Sequence, residues 1–343
     1  MMKGAQTSMK RILFLLLFLI PVSFLLLNAF SSKEYEYYSI ATGTTGGTYY
    51  PVGVGLANLY TEKLSGNDIR VTGQSSGGSV ENIDLLRKGE AQLATVQGVI
   101  GDFAYHGNDI YKNKTYEDLR AVTMLWPNIE HFPLKDSQMK TGTIEDIKGK
   151  NFSMGSQGSG TEHTTRIIMN SLQITKNDID KEHLGFSDTI SAMRDGTIDG
   201  GAISAGLPAT SLTDMYASGV DASLLEVTDD QLKQINESSD VFYRYTLPPE
   251  TYPKQTKEIH TVAQGNFMAT DKNFDEEAVY QLTKILYENL EQVHGIHSVT
   301  KNITLEHSIE GLTVPLHPGA YRYYKERGLD IPADLIPPEE KKG

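Results

Sequence analysis

Residues 42–51 read Thr-Gly-Thr-Thr-Gly-Gly-Thr-Tyr-Tyr-Pro. Before them Tyr37–Ala41 is a short β-type run; after them Val52, Leu56, Leu59, Tyr60 and Leu64 recur at helical spacing. The reading is strand, glycine-rich turn, helix, with Pro51 in the first helical turn, where a missing N–H costs nothing. Such a turn presents free backbone N–H groups at the positive end of a helix, which suits an anion. The same glycines also serve plain backbone geometry in a tight βα turn. A second copy of the device, at Met154–His163, favours the anion seat.

The 343 residues suffice for two ordinary domains, and a 39% hydrophobic content can fill their cores. With no cysteine, disulfides, thiolate metal sites and thiol nucleophiles are excluded. A formal charge of −13 argues against a nucleic-acid partner, because phosphate neutralisation needs a basic face. Lys3, Lys10 and Arg11 precede the apolar run Ile12–Leu27, and Ala29-x-Ser31 supplies a small-residue pair. Residues 1–31 therefore read as a secretory signal peptide, or as an uncleaved N-terminal anchor, since the apolar run is slightly long. Removing them takes away three positive charges and leaves −16. The expected location is periplasmic or extracytoplasmic.

Downstream, strands alternate with helices. Ile69–Thr72, Ala91–Val96 and Leu119–Leu125 read as strands, the last ending at Trp126-Pro127. Ser79 can cap a helix in which Val80, Ile83 and Leu86 share a face. This βαβαβ order predicts a mostly parallel sheet with helices on both faces, and ligands in such sheets sit beyond the strand carboxyl ends. Thr48, Ser75, Ser76, Ser79 and Gln97 all fall there. After Lys135 the pattern restarts with strand Asn151–Met154, and Ser159 with Glu162 fits a capping box. Ile198–Ile203 reads as one Gly-rich strand. From His260 to Thr270 an apolar strand returns, followed by a helix with Val279, Leu282, Leu286, Leu290 and Val293 on one stripe. That strand is expected to rejoin the first sheet. The domains are then 36–134 plus 260–331, and 135–259, joined by two strands and followed by a disordered tail, 332–343.

Gly43-x-x-Gly46 and Gly155-x-x-Gly158 could face each other across an interdomain cleft. Neither loop has the Gly-Lys-[Ser/Thr] of a nucleotide-binding P-loop. Gly73-Gln-Ser-Ser-Gly77 matches the G-x-S-x-G pattern of hydrolases and places a nucleophile candidate at Ser75. The following helix starts late, at Ser79, and no downstream histidine has a persuasive setting. The nine histidines form no metal-binding spacing. No cofactor, metal or catalytic residue is expected.

Ala41–Pro51, Gly77-Gly-Ser-Val-Glu-Asn, Gly155-Ser-x-Gly-Ser-Gly-Thr-Glu and Pro315-Leu-His-Pro-Gly-Ala together resemble the TAXI family, the solute-binding components of a subclass of TRAP transporters. The resemblance runs in order from about Tyr37 to Gly328. It implies a two-domain periplasmic-binding fold that closes over a small organic anion and delivers it to TRAP permease subunits. The anion would be a mono- or dicarboxylate such as glutamate or 2-oxoglutarate. This chain carries Ala202-Ile203-Ser204 where family members often have a bulky aromatic pair. On this reading Gly46, Gly47, Thr48, Tyr49, Ser76, Ser79 and Gln97 line the cleft from one lobe. Ser156, Gly158, Ser159, Gly160, Thr161 and Ser204 line it from the other. Backbone N–H groups at Gly46–Thr48 and Gly158–Thr161 take the carboxylate, and Arg87 and Arg166 face solvent. The expected protein is a monomer and not an enzyme. The alternatives are a serine esterase using Ser75 and an anchored ligand-sensing ectodomain.

Overall fold

Among the described residues, twelve strands form two sheets. The structure is a computed structural model and describes residues 35–175, 177–237 and 241–342; the segment read as a signal peptide or anchor lies outside the described residues. The strands are β1 (Glu36–Ala41), β2 (Ile69–Gln74), β3 (Leu93–Gln97), β4 (Leu119–His131), β5 (Pro133–Lys135) and β6 (Asn151–Ser153). They continue with β7 (Asp180–Glu182), β8 (Gly200–Gly201), β9 (Ile203–Ala205), β10 (Ala222–Leu224), β11 (Tyr243–Leu247) and β12 (Ile259–Asp271). The helices are α1 (Tyr49–Lys63), α2 (Ser79–Arg87), α3 (Gly98–His106), α4 (Gly160–Ser171) and α5 (Phe186–Asp195). After these come α6 (Thr210–Ala217), α7 (Asp229–Asn236), α8 (Glu276–Glu288), α9 (Leu290–His294) and α10 (Pro318–Glu326). Among the described residues, no helix is long and apolar enough to cross a membrane.

The first sheet is ordered β2-β1-β3-β12-β4-β9, with β11 on β12. β1 to β4 and β11 run one way, β9 and β12 the other. The second sheet is ordered β10-β5-β8-β6-β7, and only β5 is reversed. Both sheets are therefore mixed rather than mostly parallel as expected: four of six pairings in the first and two of four in the second are antiparallel, because β12 returns reversed between β3 and β4 and β5 is reversed between β10 and β8. α1 buries Val52, Leu56, Leu59 and Tyr60, so the periodic apolar face is the one laid against the sheet. Each such side chain contributes roughly 1.5–3 kcal/mol on burial.

Several boundaries differ from the sequence reading. β4 does not stop at Leu125 but passes through Trp126-Pro127 to His131. Pro127 is tolerated because it lies beside an irregularity in the pairing with β12 and short of β9, which meets β4 only at Ile129–His131. The stretch 198–203 is not one strand: Gly200–Gly201 belongs to the second sheet and Ile203–Ala205 to the first. The chain therefore crosses between sheets four times, at Phe132, at Ala202 and on either side of β10, rather than on two strands. β9 and β11 lie in the stretch 135–259 yet pair with the first sheet. The stripe on α8 ends at Leu286; Asn289 Nδ2 takes the Ile285 carbonyl at 2.8 Å, and Val293 sits on α9. Residues 332–342, within the tail expected to be disordered, lie against the body. There Leu335 is buried and Arg120 pairs with Glu339 at 2.5 Å.

Candidate functional site

The two glycine loops meet. Residues 43–49, between β1 and α1, face residues 156–161, between β6 and α4, with Phe186 at the start of α5 beside them. The approach is close enough that added atoms collide across it. A Cβ on Gly46 would come within 2.6 Å of Ser187 Oγ, and one on Gly160 within 2.7 Å of Gln97 Oε1 and 2.9 Å of Ser79 Cβ. The cavity left between the loops holds about 40 Å³, room for a few waters.

Ten of the thirteen residues expected in the cleft line this cavity: Gly47, Thr48, Tyr49, Ser79, Gln97, Ser156, Ser159, Gly160, Thr161 and Ser204. Gly46, Ser76 and Gly158 are not in its wall. Gly46 packs instead against α5. Ser76 is a brace: its Oγ donates to Asn82 Oδ1 at 2.6 Å and accepts from Gly78 N at 3.0 Å. Asn82 in turn ties the Thr42 and Thr95 carbonyls at 2.6 and 2.8 Å.

Gly158 corrects the expected backbone seat. Its N–H donates to Glu162 Oε2 at 2.5 Å, so it is not free for a ligand. Ser159 does cap α4, accepting from Glu162 N at 3.1 Å, but the returning carboxylate reaches Gly158 rather than Ser159, one residue beyond a capping box. The first lobe uses the same closure, Gly77 N donating to Glu81 Oε2 at 2.6 Å. The N–H groups left for an anion on this side are those of Gly160 and Thr161, the first residues of α4, which have no intrahelical acceptor. On the other side Gly47 N is taken by Thr44 O at 3.3 Å within the turn. Thr48 Oγ1 accepts from Gly206 N at 3.2 Å, which fastens the loop to the turn after β9.

Among the described residues, no charged side chain lines the cavity. Arg166 does not face open solvent; it pairs with Asp109 at 2.5 Å, linking α4 to the short turn after α3. Arg87 donates to Lys114 O at 2.7 Å and covers the Tyr116 ring. Ser75 is exposed past the end of β2, outside the cavity wall, and the helix begins four residues later at Ser79. Among the described residues, no cluster of three or more His, Asp or Glu could hold a metal.

Behind the wall lies a polar layer that sequence reasoning missed. Trp126, Asn128 and Glu130 alternate on β4, and Gln264 and Asn266 on β12; Asn266 pairs with Trp126 and Gln264 with Asn128, so all five share one sheet face. Tyr49 donates its hydroxyl to Asn266 Oδ1, and its ring meets Trp126 edge-on at 6.1 Å. Burial raises the Tyr49 hydroxyl far above its ordinary range, so it stays a donor. Trp126 Nε1, both amide atoms of Asn128 and Asn266 Nδ2 are buried without a hydrogen-bond partner. Such orphaned atoms are rare in native interiors. Glu130, 1% exposed, accepts from Ser204 Oγ and from Gln264 Nε2 at 3.2 Å; burial pushes it up to about 7. The available signal was a period of two in polar residues along otherwise apolar strands.

The chain matches the model of the NMT1-like family over residues 40–328. Among solved structures, a protein of Bordetella bronchiseptica RB50 has a TM-score of 0.51 at 13% identity, over 90% of this chain and 86% of its own. The periplasmic aliphatic sulphonate binding protein SsuA of Escherichia coli has a TM-score of 0.45 at 15% identity, covering 88% and 96%. A TRAP periplasmic solute binding protein of Pseudomonas aeruginosa PAO1, solved with bound L-malate, has a TM-score of 0.44 at 12% identity, covering 78% and 86%. The two-sheet α/β architecture is shared with the Bordetella protein.

Proposed function

The chain belongs to the NMT1-like family, and from that premise we propose that it is the extracytoplasmic solute-binding component of a TRAP-type transporter of the TAXI class. It captures a small organic anion, a mono- or dicarboxylate, and hands it to membrane permease subunits. It carries no catalytic site, and residues 1–31 direct it out of the cytoplasm. The lobes are 36–134 with 260–331, and 135–259, with β9 and β11 stitching the second to the first.

One observation carries the reading: two glycine loops, each leading into a helix N-terminus, come from different sheets and close on one uncharged cavity whose wall includes serine and threonine residues and Gln97. Helix ends and unclaimed amides favour negative charge where no arginine is present. With only about 40 Å³ between the loops, a carboxylate larger than a few waters enters by their separation. A thermal-shift screen of organic acids on the mature protein tests this. A solute at one hundred times its Kd adds about 2.7 kcal/mol of stability, which a melt resolves. Shifts by sugars, nucleotides or cations, with none by organic acids, would sink the proposal.

A further inference from the structure

We propose that Glu130 is a proton site of the cleft: closure over an organic carboxylate protonates it, so the cleft takes up the anion and one proton together. The inference rests on the solute-binding reading above and adds a second ion to it. Ser204 stands in the cavity wall, and Glu130 lies one hydrogen bond behind it. Its other oxygen takes Gln264 Nε2, which also reaches Thr164 Oγ1 on α4 at 3.3 Å; Thr164 donates to Gln97 Oε1 at 2.9 Å. The carboxyl group is thus linked through Gln264 and Thr164 of α4 to Gln97 at the end of β3, across the cavity.

Among the described residues, no cation pairs with it. The ionisable group facing it from α1 is Tyr49, held neutral by burial. The neighbouring His131 on β4 is directed to Ile203 O at 3.0 Å and Tyr252, and burial lowers it to about 4, so it too is neutral. On β12, His260 pairs with Glu258. On α4, Arg166 pairs with Asp109 and contacts His163, and Glu162 holds the Gly158 amide. β9 presents only Ser204. An anion arriving on the far side of Ser204 meets a carboxylate with nothing to neutralise it, and two like charges in one poorly solvated site drive one of them to bind a proton. Glu130 already sits near neutrality without the anion, so the proton comes from solvent at ordinary pH.

Calorimetry with 2-oxoglutarate, which has no ammonium group, in two buffers of different ionisation enthalpy reads the proton directly. At about pH 8 roughly one proton is expected per 2-oxoglutarate bound, with Kd weakening by up to about tenfold per pH unit above neutrality. Glu130→Gln, fixed in the neutral form, should take up no proton, lose this pH dependence and bind roughly tenfold tighter than wild type at about pH 8. Binding without proton uptake in wild type would overturn the inference. So would Glu130→Gln losing all binding in a protein that prefers L-glutamate, which makes Glu130 an ionised ammonium seat. If no organic acid binds, the solute reading fails, and infrared spectroscopy of the unliganded protein still decides the proton site. A protonated carboxyl stretch present at about pH 6, gone by about pH 8 and missing from Glu130→Gln supports it; no such band at the lower pH refutes it.

Discussion

Gly158 and Gly160 sit two residues apart and are glycine for different reasons. Gly158 has φ +71° and open space where a Cβ would be, so its constraint is backbone conformation. Gly160 has an ordinary φ, but a Cβ there would strike Gln97 and Ser79 across the cleft. Gly160→Val is therefore expected to melt cooperatively yet lose calorimetrically detectable binding, because the loops can no longer close. Gly158→Ala should cost about 1–2 kcal/mol of stability through the left-handed backbone and leave affinity near wild type. Equal affinities for both variants would place the solute elsewhere. At this scale the glycines, serines and Gln97 of the cavity were legible, because turn chemistry is local. Glu130, Gln264 and Asn266 were not, since what brings them together is burial on a shared sheet face, and their strands lie more than a hundred residues apart.

The loop-to-helix junctions show how an element protects its own end. Ser159 takes one free amide of α4 and Glu162 takes the Gly158 amide, while Glu81 does the same for Gly77 ahead of α2. Losing the cap in Ser159→Ala should lower stability by about 1 kcal/mol, read as a shift in denaturant midpoint with an unchanged slope. A shift indistinguishable from zero would mean that the Glu162 carboxylate alone holds the junction. Helices were the most readable elements: α1, α2 and α8 follow their apolar period. The stretch 198–203 was not readable, because two strands of two and three residues carry too little pattern to say which sheet each joins. Sheet choice there depends on partners far along the chain. The Pro127 crossing escaped for a related reason: a proline reads locally as a strand end, and only the position of β9 shows why it is not.

For the molecule as a whole, the contact between Asp109 and Arg166 joins the turn after α3 to α4 outside the cavity and would span the two proposed lobes, with both side chains about one-third exposed. A partly exposed pair contributes about 1 kcal/mol or less, so it tunes closure rather than decides it. Asp109→Asn should weaken solute binding by less than about tenfold and enlarge the unliganded radius of gyration in X-ray scattering, while the saturated protein remains compact. A saturated Asp109→Asn protein that stays extended would show the pair to be essential to the closed form. β12, with β3 on one side and β4 on the other, carries a further consequence. The middle of the first sheet is supplied by residues 259–271, long after its neighbours have been made. A ribosome adding about 5–20 residues per second needs roughly 10–35 s to go from the end of β3 to the end of β12. Through that interval the inner edges of β3 and β4 stand unpaired, and a nascent chain in that condition is open to chaperones and slow to fold on its own.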